Sequence, residues 1–375
     1  MKIGTIELSS PFVVSPMAGM TDTAFRRLVK RQGGCGLVVS EMVSSEGLVR
    51  GIDRTLEYAE YTEEERPVSI QIFGGEPAKM AEAARVVEAM GANIVDVNMG
   101  CPVPKIAKHN AGCSLMREPQ HAAEIIAAMT RAVKIPVTVK MRKGWDDGEV
   151  NAPELAKRVE AAGAAAIAVH GRTAKQSYSG FADWDVVAGI ARSVSIPVFG
   201  SGDCIEPEDI VARMRSGVSG VFVGRGVLRN PWILAQAQDL MAGRPARQIT
   251  DEERGQFLLD YMQLLLADEK GEQDGFRHLV VQSTPPRAAE SKERWVVNKL
   301  RALCTWYTKG FDGGAQFRIG INSAKSIAEV EALIEGFFFS GSGIRGPGPA
   351  RENLLMTGSR IPDPGPRTPD PGSRS

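Results

Sequence analysis

Three consecutive stretches decide the fold: Ile135-Pro136-Val137-Thr138-Val139-Lys140-Met141, then Pro153-Glu154-Leu155-Ala156-Lys157-Arg158-Val159-Glu160-Ala161-Ala162-Gly163, then Ala166-Ile167-Ala168-Val169-His170. The first and third are short apolar runs rich in β-branched residues. Between them lies an amphipathic pattern of helical period. Proline stands where a missing N–H costs least, at a strand start and in a first helical turn, and Gly163 follows the helix end. Runs that are apolar nearly throughout suit strands buried on both faces of a parallel sheet.

The same unit recurs along the chain. Comparable runs are Phe12–Val14, Gly36–Ser40, Val68–Ile72, Ile94–Val97, Pro197–Gly200 and Val221–Val223, with helical stretches such as Ala78–Met90, Ala122–Ala132 and Glu208–Arg215 between them. An open doubly wound sheet would show a similar rhythm. Eight units over about 230 residues point to a closed (β/α)₈ TIM barrel of the α/β class.

The 375 residues exceed one barrel. The reading is a barrel over residues 1–243, a small all-helical C-terminal domain over 244–338, and a tail over 339–375. Within the helical domain, Thr250–Asp268, Arg294–Tyr307 and Ser326–Phe337 carry helical patterns, and 276–293 reads as an inserted loop. The tail is dominated by Gly, Pro, Ser and Arg, a composition that cannot bury enough surface to offset chain entropy, so disorder is expected there.

Lys plus Arg and Asp plus Glu both number 45, which excludes a globally basic nucleic-acid binder. It does not exclude a locally basic one. Between Lys292 and Lys325 stand seven basic residues against two acidic, a net +5, interleaved with Trp295, Trp306, Tyr307, Phe311 and Phe317. Basic residues bind phosphates and aromatic rings stack bases, although such aromatics also make small cores. The five cysteines are scattered and form no Cys-x-x-Cys. That pattern suits a reduced cytoplasmic chain without structural zinc. With no long apolar stretch and no leader pattern, a membrane role is not expected.

Barrel active sites lie at the C-terminal ends of the strands. There the sequence offers Ser15-Pro16-Met17-Ala18-Gly19, Gln71, Asn98-Met99-Gly100-Cys101-Pro102, Lys140-Met141-Arg142, His170-Gly171-Arg172-Thr173, Gly200-Ser201-Gly202-Asp203 and Gly224-Arg225-Gly226. Glycines after strands 7 and 8 let backbone N–H groups approach an anion, and Arg225 adds a charge-assisted contact. A phosphorylated ligand follows. Lys140, Gln71 and His170 suit the pyrimidine edge of a flavin, which needs positive charge when reduced. No Gly-x-Gly-x-x-Gly follows the first strand, so a tightly held NAD(P) is disfavoured. A free cysteine is commonly a small core hydrophobe. Cys101, in a rim loop, stands apart from Cys35, Cys113, Cys204 and Cys304.

These motifs, with Trp306-Tyr307-Thr308-Lys309-Gly310-Phe311, resemble the tRNA-dihydrouridine synthases, most closely the bacterial B-type branch, over roughly residues 1–338. The resemblance implies FMN in the barrel mouth, reduction by NADPH, hydride transfer from flavin N5 to uracil C6, and a proton from Cys101 to C5. It implies FMN contacts from Pro16, Met17, Ala18, Gln71, Lys140, His170, Ser201, Gly202, Asp203, Gly224 and Arg225. Asn98 and Arg142 would lie near the target uracil, and Lys299, Arg301 and Lys309 would meet the tRNA. A monomer without bound metal is expected. Ser201 departs from the family, which commonly has Asn there, and 276–293 looks inserted. The alternatives are an FMN barrel acting on a small molecule such as a dihydropyrimidine, and a non-catalytic RNA-binding protein.

Overall fold

The computed structural model describes residues 1–51, 54–107, 110–267, 272–280 and 289–340. Its centre is a ring of eight parallel strands: β1 (Phe12–Val14), β2 (Leu37–Val39), β3 (Val68–Phe73), β4 (Ile94–Met99), β5 (Val137–Gly144), β6 (Ala166–Thr173), β7 (Val198–Ser201) and β8 (Gly220–Val223). Val14 pairs with Val223 and Val38 with Val68, so each strand has two neighbours and the barrel closes. The helices α1 (Thr23–Gln32), α2 (Pro77–Ala89), α3 (Pro119–Ala132), α4 (Ala152–Ala161), α5 (Trp184–Ser193), α6 (Pro207–Met214) and α7 (Ile233–Met241) wrap the outside.

Strand alternation separates two environments. Phe12 and Val14 belong to the large cluster under the helices, whereas Val13 faces inward with Leu37, Val39, Ile94, Ala166, Ala168, Phe199 and Phe222. Phe199 and Phe222 meet edge to face at 5.5 Å in this interior. A hairpin of Lys2–Ile3 and Ile6–Glu7 lies at the bottom, and its Ile3 joins the interior cluster together with the following Leu8. The barrel is therefore plugged below, and its polar residues collect above.

Five strands run further than their apolar runs indicate. β5 and β6 end at Gly144 and Thr173 rather than Met141 and His170, β4 ends at Met99 rather than Val97, β3 at Phe73 rather than Ile72, and β7 at Ser201 rather than Gly200. The added residues continue the ladder, with Asn98 paired to Lys140 and Arg142 to His170. Polar side chains that pointed to loops thus sit on rigid strands.

The C-terminal part comprises α8 (Asp251–Leu266), α9 (Ala289–Tyr307), α10 (Gly314–Ser323) and α11 (Ile327–Phe338). Thr250 and Glu253 exchange reciprocal capping bonds of 2.7 and 3.1 Å at the start of α8, which satisfies donors left open there. Phe257 and Tyr261 of α8 meet Phe25 of α1 edge to face, and Tyr307 stacks on Phe257 at 5.7 Å. One buried apolar cluster thus runs from the barrel helices into the C-terminal helices.

Three differences from the sequence reading concern this part. α9 begins at Ala289, not Arg294, and α10 is additional. Within the 276–293 loop, Arg277–His278 pair with Tyr61–Thr62, and His278 stacks on Tyr61 at 4.5 Å. The remainder of that loop at 281–288 and the tail from 341 lie outside the described residues.

Candidate active site

The parallel register lays the interior polar residues down in layers. Gln71 lies beside Asp96, and Asp96 beside Thr138. One layer higher Asn98 lies beside Lys140, and above that Arg142, His170 and Ser201 align. Hydrogen bonds then connect the layers. Thr138 donates to Asp96 at 2.6 Å, and the Gln71 amide donates to the other Asp96 oxygen at 2.7 Å. Asn98 donates to the Gln71 carbonyl at 2.7 Å. The Asn98 carbonyl in turn accepts the backbone N–H groups of Gly100 and Cys101, at 3.2 and 2.9 Å. This chain runs from the buried core to the cysteine loop, and each link leaves the amides one orientation.

Nine of the eleven expected cofactor residues line one cavity at the mouth: Pro16, Met17, Lys140, His170, Ser201, Gly202, Asp203, Gly224 and Arg225. Ala18 is exposed on the adjoining loop, and Gln71 is buried below, occupied by its bonds to Asp96 and Asn98. The turn after β7 requires glycine. Gly202 has φ +126°, and a Cβ there would stand 2.5 Å from the Ala182 side chain and 3.2 Å from the His170 ring. A backbone without side chain therefore passes close under the cavity, as an anion cradle needs.

The electrostatics favour donors. Burial and the neighbouring Arg142 guanidinium bring the Lys140 ammonium down to about 8, with Asp96 opposing. Burial and the cations around it, Lys140, Arg142, Arg172 and Arg225, hold His170 well below the usual imidazole range, so the ring is neutral at pH 7. Burial raises the Cys101 thiol, against the Val103 N–H and Arg142. Cys101 is thus a thiol rather than a thiolate at neutral pH. Burial pushes Cys113 up to about 11, Cys204 and Cys304 up to about 12, and Cys35 up as well.

Several expected contacts are already engaged with the protein. Arg142 donates to the carbonyls of Gly100, Thr173 and Ser177 at 2.8–3.0 Å, and so ties the rim loops of β4 and β6 together. Asp203 accepts from Arg172 and from the Ala182 N–H, each at 2.6 Å, and Arg225 stands 3.6 Å away. Its charge is balanced where a ligand anion would lie. Arg301 donates to the carbonyls of Ile321 and Ala324 at the end of α10. Lys299 turns toward the barrel, with Asp22 at 3.0 Å and the Gly19 carbonyl at 3.1 Å. Lys309 is exposed and stands 5.9 Å over the Trp306 ring. Of the five aromatics, Tyr307, Phe311 and Phe317 are buried, while Trp295 and Trp306 are partly open.

Sequence reading missed three groups. Asp96 lay inside an apolar run, and only the strand alternation turns it inward. Glu41, just beyond β2, is 2% exposed and accepts the Gly19 N–H. Tyr178 lines the cavity, is 57% exposed, and packs its ring 4.9 Å from the Arg225 guanidinium. An aromatic within the polar run Gln176-Ser177-Tyr178-Ser179 was its only signal.

A closed barrel with a glycine-lined cavity, a partly buried lysine, a neutral histidine and a thiol at one rim defines a flavin-dependent oxidoreductase. Residues 13–338 match the model of the dihydrouridine synthase family, and the chain belongs to that family. It is 39% identical to a probable tRNA-dihydrouridine synthase of Rickettsia conorii over 343 residues, covering 91% of this chain and 97% of that one. It is 36% identical to tRNA-dihydrouridine synthase B of Shewanella oneidensis over 342 residues, covering 90% and 98%. A solved 2-naphthoyl-CoA reductase shares the fold, with a TM-score of 0.51 and 14% identity, covering 65% of this chain and 52% of that one.

Proposed function

We propose that this chain is an FMN-dependent tRNA-dihydrouridine synthase. It reduces the C5–C6 double bond of uridine in tRNA at the expense of NADPH. The residues present fit a flavin: the turn at Gly202 admits no Cβ, Arg225 supplies a cation, and Lys140 and His170 line the same cavity. When bound, the flavin supplies the hydride that adds to uracil C6. The phosphate cradle at the rim is our reason for choosing FMN as the flavin.

The observation that carries the reading is Cys101. Its backbone N–H is fixed by Asn98 and its thiol is kept protonated by burial. A thiol so held donates its proton to C5, and the thiolate recovers one from solvent. Lys140 supplies positive charge beside the flavin's pyrimidine edge. Neutral His170 adds a donor without a second charge. Arg142 fixes the loops that frame the uracil. The Tyr178 ring offers a face for stacking, and Lys309 on Trp306 offers a cation to the tRNA backbone. Five free thiols suit a reducing cytoplasm, and no described helix is long and apolar enough to cross a membrane. We take the monomer as the working unit.

The test is single-turnover reoxidation of prereduced protein by tRNA. Cys101→Ser retains flavin and its reduction by NADPH, but reoxidises on the order of 10²–10⁴-fold more slowly, because a hydroxyl is a poorer acid. Cys113→Ser behaves as wild type. Reoxidation of Cys101→Ser at the wild-type rate would remove Cys101 from the mechanism.

A further inference from the structure

The cofactor cavity is bounded on one side by the loop after β1, which contributes Pro16 and Met17. The loop is a tight turn. The N–H groups of Met20 and Thr21 donate to the Met17 carbonyl at 3.0 and 3.1 Å, and the Thr21 hydroxyl accepts the Met17 N–H at 3.0 Å. Gly19 stands at its tip with φ +79° and is held from two directions. Its N–H donates to the Glu41 carboxylate, from beyond β2 of the barrel. Its carbonyl accepts from the Lys299 ammonium at 3.1 Å, from α9 of the C-terminal helices.

The charges explain why this clamp is specific. Glu41 is almost completely buried, and its second oxygen has no hydrogen-bond partner. The Lys299 ammonium stands 3.8 Å from that oxygen and 3.0 Å from Asp22. Asp22 also caps α1 through the Phe25 N–H at 2.9 Å, and accepts from the Tyr261 hydroxyl at 2.8 Å. Lys299 is thus the cation between two carboxylates at the junction. A buried carboxylate that loses its partner is strongly unfavourable. Against burial, Asp22 and Glu41 raise the affinity of Lys299 for its proton, and burial raises the Glu41 carboxyl with Lys299 as its largest opposing charge, so each group depends on the other for its charge.

We infer that Lys299 is a positioning residue of the cofactor site, reaching from the helical part to clamp Gly19 and thereby making the Met17–Thr21 loop depend on that part being docked. The inference rests on the flavin reading of the cavity for its functional consequence. It assigns Lys299 an inward role, distinct from a contact with RNA phosphates.

The experiment compares Lys299→Met, Glu41→Gln, the double variant and Tyr261→Phe in the full chain. Three quantities are read: the FMN dissociation constant, hydrogen exchange of the Gly19 amide without flavin, and tRNA affinity against salt at saturating FMN. Lys299→Met weakens FMN binding about tenfold, because it leaves Glu41 uncompensated beside Asp22. It also speeds exchange at Gly19. Adding Glu41→Gln recovers most of the loss, because a neutral amide still accepts the Gly19 N–H and needs no cation; such non-additivity marks direct coupling. Tyr261→Phe loosens the junction without removing charge and leaves both FMN binding and Gly19 exchange near wild type. A salt slope of tRNA binding unchanged in Lys299→Met completes the expected pattern.

Two results overturn the inference. One is unchanged FMN binding and Gly19 exchange with a flattened salt dependence, which makes Lys299 a phosphate contact. The other is equal flavin loss in Tyr261→Phe and Lys299→Met, tracking thermal stability, which makes it general loosening. A wild type that binds no FMN while Gly19 exchange responds to Lys299→Met sinks the flavin reading and leaves the clamp standing.

Discussion

At the scale of single residues, the site assembles donors and withholds acceptors. Every amide in the chain from Thr138 to Cys101 is turned by a partner that can play only one role: a carboxylate at one end and backbone N–H groups at the other. Lys140 joins this set as its one titrating member near neutrality. Its pKa near 8 means that the ammonium is present below pH 8 and lost above it, more than two units below a free lysine. If the positive charge supports the reduced flavin, flavin reduction slows as pH rises through about 8, with no matching acid limb from His170, whose ring stays neutral down past the usual imidazole range. The check is the pH profile of the reductive half-reaction in wild type and Lys140→Met. A flat wild-type profile from pH 7 to 9.5 would show that the lysine charge has no part. The identities of Cys101, Lys140, His170 and Arg142 were legible in sequence because they stand at the ends of apolar runs. Gln71 was legible as well, but its partner Asp96 was not: it lies within such a run, and which side a strand residue faces is settled only when the barrel closes.

At the scale of elements, eight strands and the helices between them could be read from short β-branched runs and their Pro and Gly punctuation. Strand ends could not, because charged residues such as Arg142 and Arg172 continue a ladder when their side chains find carbonyls and carboxylates. α10 escaped detection for a different reason. Gly314 and Gly320 lie within it, and both are poor helix formers whose place is decided by packing, here against Thr308 and Leu333. The turn after β7 makes a sharp prediction. Gly202→Ala forces a Cβ into a φ of +126° and against Ala182 at 2.5 Å. Strain of this kind costs on the order of 1–3 kcal/mol. The variant should melt lower and purify with little flavin, whereas Gly180→Ala, whose site has space though its φ is also positive, should keep its flavin. Normal flavin content in Gly202→Ala would show that the close backbone approach does not serve the ligand.

At the scale of the molecule, the formal charge is zero while the segment from Lys292 to Lys325 carries a net +5. The sequence reading gave Lys299, Arg301 and Lys309 one role, meeting the tRNA; the fold separates them. Arg301 closes the end of α10, Lys299 faces the barrel, and Arg318 donates to the Thr308 carbonyl at 2.9 Å. To contact an RNA phosphate, those groups must share or give up hydrogen bonds they already make. Lys309 differs: it is exposed and, among the described residues, its ammonium stands over the Trp306 ring, a contact worth about 0.5–1 kcal/mol at such a site. Removing it should therefore leave stability nearly unchanged while weakening tRNA binding. A single phosphate contact lowers the log–log salt slope by roughly one. Lys309→Ala should show that reduction in a titration of prereduced or oxidised protein with tRNA between low and moderate salt, whereas Arg301→Ala should lower the melting temperature and alter the slope little. If the two variants exchange these behaviours, the RNA lies against the α9–α10 junction instead, and the arginine leaves its carbonyls to meet it.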